Sequence, residues 1–403
     1  MATENNNKNL NVPNLRFPEF SGEWERKKLG DIGTTLIGLT YSPQDVVPSD
    51  GTIVLRSSNI KGGLLDYTDL VKVNKKIKES IITRTNDILI CARNGSARLI
   101  GKNAILKDSD CGHTFGAFMM VYRSEDNPFV HQLLSTKRYY SQVAENLGAR
   151  INQITTSDLN SFEFSFPQSK KEKVKIASML SLLDERIATQ IKIIEKLESL
   201  IRGIVETHYS NCQHKTKVKI ADLGMPFTTM NMSKEDLSNE GNECILYGEL
   251  FTTYGCVISS IKSRTQLSID ASTISQKNDL LFPASTTVDA MSLIAPSAIC
   301  KDGVILGGDL FGIHISKDYD SEYLSYLINY IYKSHLARFA QGSTIIHLHY
   351  SDIKNAIIEL PSLSEQKYLA SLMREVESKI VNEKNMLSKL EVQKAYLLSH
   401  LFI

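Results

Sequence analysis

The sequence lacks the features that mark membrane, secreted and metal-binding proteins. None of its apolar runs approaches the roughly 18 residues of a membrane-spanning helix, and its start, MATENNNKNLN, has no apolar signal-peptide core. Its six cysteines form no CxxC pair, which indicates reduced thiols rather than disulfides or a zinc site. We therefore expect a cytoplasmic protein with no membrane partner.

An excess of charge of one sign is also lacking. The chain has 46 Lys and Arg residues against 45 Asp and Glu residues, a net charge of +1. A field this weak does not identify a polyanionic partner, so any basic surface must be local. The 403 residues, 42% of them hydrophobic and 23% charged, have the composition of a globular protein with room for several domains.

Catalytic and cofactor-binding motifs are missing as well. The segment GSARLIGKN (Gly95 to Asn103) resembles a phosphate-binding loop, but it has the wrong glycine spacing, and Asn103 stands where Ser or Thr should follow the lysine. The sequence contains no GxGxxG after a strand, no GxSxG, no HExxH and no NPPY tetrad. His208, Cys212 and His214 have loosely ligand-like spacing, but they lie in a predicted linker. We expect no catalytic residue, no metal ligand and no cofactor bound by this chain.

What the sequence does contain is one long internal repeat. GARINQITTSDLNSFEFSFP (Gly148 to Pro167) aligns with GSTIIHLHYSDIKNAIIELP (Gly342 to Pro361), and TNDILICA aligns with KNDLLFPA. After the two prolines, KIASMLSLLDERI aligns with YLASLMREVESKI. Such a duplication sets the architecture. It predicts two mixed domains, 1–167 and 210–361, each followed by a helical segment, 168–209 and 362–403.

Each of the two larger repeats combines strand and helix signals. Short apolar or alternating runs between Gly, Asn, Asp and Ser clusters predict strands. The strongest are Ile53–Leu55, Ile88–Cys91, Phe118–Tyr122, Leu280–Phe282 and Phe311–Ile315. One helical stretch follows in each copy, Val130–Glu145 and Glu322–Phe339. The repeats therefore read as two α+β domains.

The two helical segments carry a coiled-coil pattern. From Ile176 to Ile204, apolar residues recur in alternating steps of four and three, with Gln190 in the one vacant slot. The second copy repeats the pattern from Leu369 to Leu397, with Glu383 at the Gln190 position and Lys394 at the Ile201 position. We expect an antiparallel coiled coil with pseudo-twofold symmetry, in which Gln190 and Glu383 share a polar layer that fixes the register. An amphipathic helix packed on its own domain is the alternative.

Two donor-rich turns in the first copy are the candidate binding site. RSSNIKGG (Arg56 to Gly63) and ARNGSARLIGK (Ala92 to Lys102) combine Arg, Asn and Ser, which bond to base edges and phosphates. The predicted nucleic-acid-facing residues are Arg56, Ser57, Asn59, Arg93, Asn94, Ser96 and Arg98 in the first copy, and Tyr247, Tyr254, Ser285, Thr286, Thr287 and His347 in the second. The alternative for several of them is that they only cap turns.

These motifs together resemble a known family. PNLRFPEFSGEWERKKLGDI, LRSSNI, NDILICARNGS and the duplicated domain-plus-helix plan are similar to the DNA-specificity subunits of type I restriction-modification systems. The second helix entry, SLSEQKYLA, is near that family's pattern, whereas the first, QSKKEKVKIA, lacks the Glu-Gln pair.

The resemblance implies a division of labour. Each mixed domain would be a target recognition domain that reads one half of a bipartite sequence in double-stranded DNA. The coiled coil would space the domains and dock methyltransferase subunits, and motor-nuclease subunits would complete the restriction enzyme. The complex, rather than this chain, would use S-adenosylmethionine, and ATP with Mg²⁺ for the motor. A coiled-coil scaffold joining two protein-binding domains is the alternative function.

Overall fold

The computed structural model describes residues 11–147 and 152–403. The chain divides into two units, one formed by Met1–Gln190 with Met386–Ile403, the other by Ile191–Asn385. Both boundaries fall inside long helices, so each unit contains one mixed domain together with a stretch of each long helix.

The described part of the first mixed domain is built from short strands and four helices. Its strands are β1 (Glu25–Lys28), β2 (Thr34–Ile37), β3 (Val46–Val47), β4 (Thr52–Leu55), β5 (Ile60–Lys61), β6 (Leu64–Leu65), β7 (Val71–Val73), β8 (Ile88–Cys91), β9 (Asn103–Ile105), β10 (Thr114–Phe115), β11 (Met119–Arg123) and β12 (Glu163–Phe166). Its helices are α1 (Leu29–Ile32), α2 (Asn127–Leu133), α3 (Lys137–Leu147) and α4 (Thr156–Ser161), and the first long helix, α5 (Lys170–Asn211), follows.

The second mixed domain follows the same order. Its strands are β13 (Thr216–Lys219), β14 (Gly224–Thr228), β15 (Leu237–Ser238), β16 (Asn242–Leu246), β17 (Val257–Ile258), β18 (Ser263–Thr265), β19 (Asp279–Pro283), β20 (Ser285–Thr286), β21 (Ser297–Ile299), β22 (Ile305–Gly307), β23 (Leu310–Ile315), β24 (Ile346–His347) and β25 (Ile357–Leu360). Its helices are α6 (Glu249–Thr252), α7 (Ala290–Leu293), α8 (Ser321–Leu327), α9 (Lys333–Ala337) and α10 (Tyr350–Ile353), with a π-helical turn at Ile328–Tyr332, and the chain closes with α11 (Leu363–Leu401).

The sheets confirm the duplication predicted from the sequence. The first copy has sheets ordered β2-β11-β8-β9 and β10-β4-β7-β3, with β1 paired to β12. The second copy has β14-β23-β19-β21-β17 and β15-β18-β16-β22, with β13 paired to β25. The sheets β10-β4-β7-β3 and β15-β18-β16-β22 contain equivalent parallel pairs, β10 with β4 and β22 with β16, among antiparallel neighbours. The predicted strands lie in these sheets, except that Phe118 stands one residue before β11.

The central strand β8 shows why its sequence is apolar throughout. Ile88 and Ile90 pack into a core with the helices α2 and α3, whereas Leu89 and Cys91 pack into a second core against Leu55 of the other sheet. A strand buried on both faces reads as a continuous apolar run rather than an alternating one. β8 therefore anchors the loop that leaves it at Ala92.

The predicted helical stretches differ between the copies. In the first, Val130–Glu145 is broken, because the Thr136 hydroxyl donates to the Leu133 carbonyl (2.6 Å) and accepts from the Tyr139 amide (3.4 Å). A hydroxyl at that position caps a new helix start. In the second copy the run continues through the π-helical turn, where the Asn329 side chain donates to the Ser325 carbonyl (3.0 Å).

Burial along the long helices follows the predicted seam. Every seam position from Ile176 to Ile204 and from Leu369 to Leu397 is buried or half-buried. Helices α5 and α11 begin three and two residues after Pro167 and Pro361, so the prolines precede the helices rather than lie in their first turns.

Within each unit the two helices run antiparallel. In the first unit, Ile176 and Leu180 share a core with Leu397 and Leu401, and Asp184 pairs with Lys394 (2.5 Å). In the second unit, Glu198 pairs with Lys384 (2.8 Å). Further along, the Cys212 thiol lies 4.0 Å from the Glu365 carboxylate.

The opening segment is fastened to the start of α5. The Arg16 guanidinium forms a two-pronged ion pair with the buried Glu172 carboxylate (2.7 and 2.8 Å), to which the Trp24 indole also donates (3.4 Å). Trp24 packs edge-on against Phe129 and Phe402. The motif that begins at Pro13 thus joins the first domain to the start of α5 and to the residue that follows α11, which lie side by side.

Candidate nucleic-acid interface

The structure brings the two predicted loops of the first domain together. The Asn94 amide donates to the Ser57 hydroxyl (3.0 Å), and the Lys102 ammonium lies 3.5 Å from the Ser57 carbonyl. Each loop contains a 3₁₀ turn, Ser57–Asn59 and Ala97–Leu99. The two segments therefore form one continuous polar surface.

Several of the predicted donors on this surface are already occupied within the chain. The Asn94 carbonyl oxygen accepts from the Ser96 amide (3.0 Å), so both ends of its side chain hold the turn, and Ser96 is half-buried behind it. The Arg56 guanidinium pairs with the Asp69 carboxylate (2.8 Å). The side chains of Asn94 and Arg56 therefore hold the loops in place, and their bonds within the chain leave them less available to a ligand.

The prediction for Asn59 needs correction. Asn59 is 0% exposed, its amide donates to the Asp66 and Asp69 carbonyls (3.0 and 2.8 Å), and its oxygen accepts from the Arg56 amide (2.9 Å). All its hydrogen-bonding groups serve to close the turn. The sequence placed it on the outer surface, whereas the structure places it beneath that surface.

Arg93 and Arg98 are the exposed arginines of this surface. In the described part of the chain, no carboxylate lies within ion-pair distance of either guanidinium. The guanidinium carbon of Arg93 lies 5.2 Å from the centre of the Phe118 ring, which is 60% exposed. Sequence reasoning missed Phe118 because it assigned it to a strand that begins one residue later, at Met119.

The same loop framework recurs in the second domain. Arg93 forms a backbone bridge with Gln153, and Ser285 pairs in the same way with His347. One residue along, the Ile154 amide donates to the Ala92 carbonyl (2.9 Å), as the Leu348 amide does to the Ala284 carbonyl (2.9 Å). The two domains hold different side chains on equivalent backbone positions.

The predicted residues of the second domain divide into an outer and an inner set. Thr287 and Tyr247 are exposed, whereas Thr286 and His347 are half-buried and Ser285 is buried at the strand pair β20–β24. Ser285, Thr286 and His347 are thus brought together.

Tyr254 belongs to the inner set. It packs against the core of the second domain, and its hydroxyl accepts from the Lys262 amide (3.0 Å). Burial raises the pKa of this phenol. The structure therefore gives Tyr254 a packing role that the sequence did not predict.

Apolar side chains complete the outer surface of the second domain. Val288 is 71% exposed beside Thr287, and Ile345 is exposed in the segment that leads into β24. Val288 also lines a groove with Met291 and Lys333, where burial lowers the pKa of the lysine ammonium. The surface is accordingly poorer in arginine and richer in methyl groups than its counterpart.

Two further predictions concern the helices and the linker. Gln190 is buried and Glu383 is half-buried, both at seam positions, and their shared polar layer stays a prediction. Helix α5 extends to Asn211, so His208 is helical rather than part of a linker.

Among residues 11–147 and 152–403 there is no cluster of three or more His, Cys, Asp or Glu side chains suited to a metal ion. Across the same residues, none of the helices has the length and apolar character to cross a membrane.

Comparison with known protein families gives a consistent result over both copies. Residues 21–199 and 212–392 each match the family described as the type I restriction modification DNA specificity domain. The two matches cover most of the chain and follow the repeat.

Curated relatives of the chain are specificity subunits. The chain is 26% identical over 188 residues to those of the type I restriction enzymes EcoKI from Escherichia coli (strain K12) and StySPI from Salmonella potsdam, covering 44% of this chain and 40% of each relative. The chain thus matches less than half the length of these two relatives. It is 24% identical over 403 residues to the putative MjaX specificity subunit from Methanocaldococcus jannaschii, covering 93% of this chain and 91% of that relative.

Solved structures share the fold. The S subunit of a type I restriction-modification system from M. genitalium superposes with a TM-score of 0.62 at 15% identity, covering 97% of this chain and 99% of the other. A structure from work on complex assembly and conformational transition of the type I system gives a TM-score of 0.50 at 13% identity, covering 94% and 97%.

Proposed function

The chain belongs to the type I restriction-modification DNA specificity family, and on that premise we propose that each mixed domain reads one half of a bipartite sequence in double-stranded DNA. One observation carries the proposal. Equivalent loops on one backbone framework hold Arg93 and Gln153 in the first domain and Ser285 and His347 in the second. A shared scaffold with different polar side chains suits the recognition of two different half-sites.

The near-zero net charge agrees with this division of labour. Base contacts specify a sequence, whereas phosphate contacts supply most of the salt-dependent affinity. A chain with a net charge of +1 has little electrostatic attraction of its own for DNA. We propose that partner subunits supply this electrostatic attraction by binding the DNA backbone.

We propose that the long helices set the spacing between half-sites and dock methyltransferase subunits. The support is a set of exposed apolar residues that lie off the seam. These are Val174, Leu182, Ile191, Ile193 and Leu200 on α5, and Tyr368, Val381, Met386, Val392 and Tyr396 on α11. Exposed apolar groups in such numbers are typical of surfaces that bind a partner.

We propose that catalysis resides in the partners. Methyltransferase subunits would bind S-adenosylmethionine, and motor-nuclease subunits would bind ATP with Mg²⁺, so this chain acts as a non-catalytic, cytoplasmic subunit. The support is the lack of catalytic and cofactor motifs in the sequence.

A selection experiment separates DNA recognition from a protein-binding scaffold. The full chain, purified with its methyltransferase subunits, is incubated with a pool of randomised DNA duplexes, and the bound duplexes are sequenced. We expect enrichment of two short conserved blocks separated by a fixed stretch of unconserved bases. No enrichment, with the subunits still assembled, would favour the scaffold.

A further inference from the structure

Within the described residues the guanidinium of Arg93, like that of Arg98, donates no hydrogen bond, unlike the side chains of the other arginine and asparagine residues of this surface. The side-chain donors of Asn59 close its turn, that of Asn94 bonds to the Ser57 hydroxyl, and the Arg56 guanidinium bonds to Asp69. The guanidinium of Arg93 carries five N–H donors. Neither a salt bridge nor a hydrogen bond from this guanidinium is formed within residues 11–147 and 152–403. An exposed guanidinium with all donors unused is suited to an external acceptor.

The backbone of Arg93 is fixed, unlike that of a typical exposed arginine. Its amide donates to the Phe118 carbonyl (3.0 Å), and its carbonyl accepts from the Cys91 thiol (3.7 Å). The bridge to Gln153 holds it from the other side. Since β8 is buried on both faces, the base of the side chain is anchored to the core of the domain.

The Phe118 ring restricts the side chain itself. A guanidinium over an aromatic face gains cation–π attraction and keeps its N–H groups directed away from the ring. Phe118 is 60% exposed at this place, so its ring is open to the guanidinium and to solvent. The pair thus presents a planar, two-pronged donor with a defined direction.

We propose that Arg93 reads a guanine in the half-site of the first recognition domain and that Phe118 is its positioning residue. This inference rests on the proposed function. A directed fork matches the O6 and N7 acceptors at the major-groove edge of guanine, the commonest specific contact made by arginine. Phosphate oxygens can accept the same fork, so the tests below are chosen to separate a guanine contact from a phosphate contact. The second domain has Ser285 at the equivalent position and is expected to read its half-site without this contact.

The first test compares base preference in the complete complex. The full chain and its methyltransferase subunits are expressed in a host without endogenous DNA methylation, and the methylated motif is sequenced for the wild type and for Arg93→Met. Methionine is shorter than arginine, but it keeps an unbranched side chain that packs on a ring while it removes the charge and all donors. We expect one guanine of one half-site to become degenerate and the other half-site to stay unchanged.

Arg84→Met is the matched control. Arg84 is another exposed arginine of the same domain, but it lies outside the two loops, so its variant should keep the complete motif. Phe118→Leu should relax the same guanine as Arg93→Met, and Phe118→Tyr, which keeps the ring, should restore the preference. A merely structural role of Phe118 would lower methylation at all sites alike.

The second test removes one acceptor atom from the DNA. A duplex with 7-deazaguanine at the implicated position lacks N7, and we expect it to bind the wild-type complex roughly 5- to 150-fold more weakly, the range for one good base contact. The Arg93→Met complex should bind both duplexes equally. Equal weakening of both complexes would overturn the proposal, because the N7 effect would then not pass through Arg93.

Other outcomes separate the two proposals. A uniform loss of methylation over all sequences in Arg93→Met, with Trp24 fluorescence showing a folded domain, would assign Arg93 to phosphate. A relaxed position other than guanine, or no relaxed position, would also overturn the inference while leaving a bipartite wild-type motif intact. A wild-type complex with no bipartite motif would instead overturn the proposed function itself.

Discussion

At the scale of single residues, whether a polar side chain extends from the surface depends on whether its own turn uses its hydrogen-bonding groups. Asn59 and Arg93 are of the types that contact DNA, and both follow buried strands. The Asn59 side chain forms hydrogen bonds with three backbone groups, whereas the Arg93 side chain extends over Phe118. Sequence reasoning selected the two loops but could not tell which donors point outward, because partners such as the Asp66 and Asp69 carbonyls lie on a neighbouring turn.

This difference makes Asn59 a test of turn closure. We expect Asn59→Ala to destabilise the first unit by about 1 to 3 kcal/mol, since it leaves buried backbone groups without partners. The DNA motif of the assembled complex should stay the same. Urea unfolding followed by the fluorescence of Trp24, the single tryptophan, measures the loss. Unchanged stability with an altered motif would mean that Asn59 contacts DNA after all.

At the scale of elements, the periodic spacing of apolar residues predicted strands and long helices that the structure contains. The strand Ile88–Cys91 and both coiled-coil seams lie where the sequence predicted them, because burial leaves a direct trace in apolar spacing. The break at Thr136 and the π-helical turn at Ile328–Tyr332 were not predicted. Both depend on local hydrogen bonds that compete with the regular helix and leave no periodic signal.

The stability of the first unit should depend on pH through the contact between α2 and the two long helices. His131 on α2 is 8% exposed, near Asp184 of α5 and Lys394 of α11. Burial lowers its pKa from 6.5 to about 4, with Lys394 adding to the shift and Asp184 opposing it. The folded unit therefore keeps His131 neutral where the unfolded chain takes up a proton, so stability is lost as pH falls below 6.5.

The expected loss from this one group is about 2 kcal/mol between pH 7 and pH 5. Urea unfolding of the wild type and of His131→Gln at both pH values measures it, again through Trp24, which packs against Phe129 on the same helix. Between pH 7 and pH 5, the free energy of unfolding of His131→Gln should fall by about 2 kcal/mol less than that of the wild type. Equal losses in both proteins would show that His131 titrates normally in the folded state.

At the scale of the whole molecule, the proposed role of the helices predicts a change in DNA spacing. Inserting one heptad after Glu198 and another immediately before Lys384 keeps both seams in phase and preserves the ion pair between these residues. Seven residues add about 10 Å of helix, close to three base pairs at roughly 3.4 Å each. The two half-sites should be unchanged, with a spacer about three base pairs longer and some loss of affinity.

Sequencing the methylated motif of the double-insertion variant measures this spacing. A single insertion on α5 alone, which breaks the pairing of the two seams, serves as the control and should reduce methylation without defining a new spacer. An unchanged spacer at full activity would show that the helices do not set the distance. Altered half-sites would show that the recognition surface lies elsewhere.

The central claim is that two copies of one fold read two halves of one DNA target. It is tested most directly by methylome sequencing of a methylation-free host that expresses this chain with its methyltransferase subunits. The account predicts one methylated motif made of two different conserved blocks around a spacer of fixed length, absent when this chain is omitted. A single continuous motif, or methylation that does not depend on this chain, would contradict it.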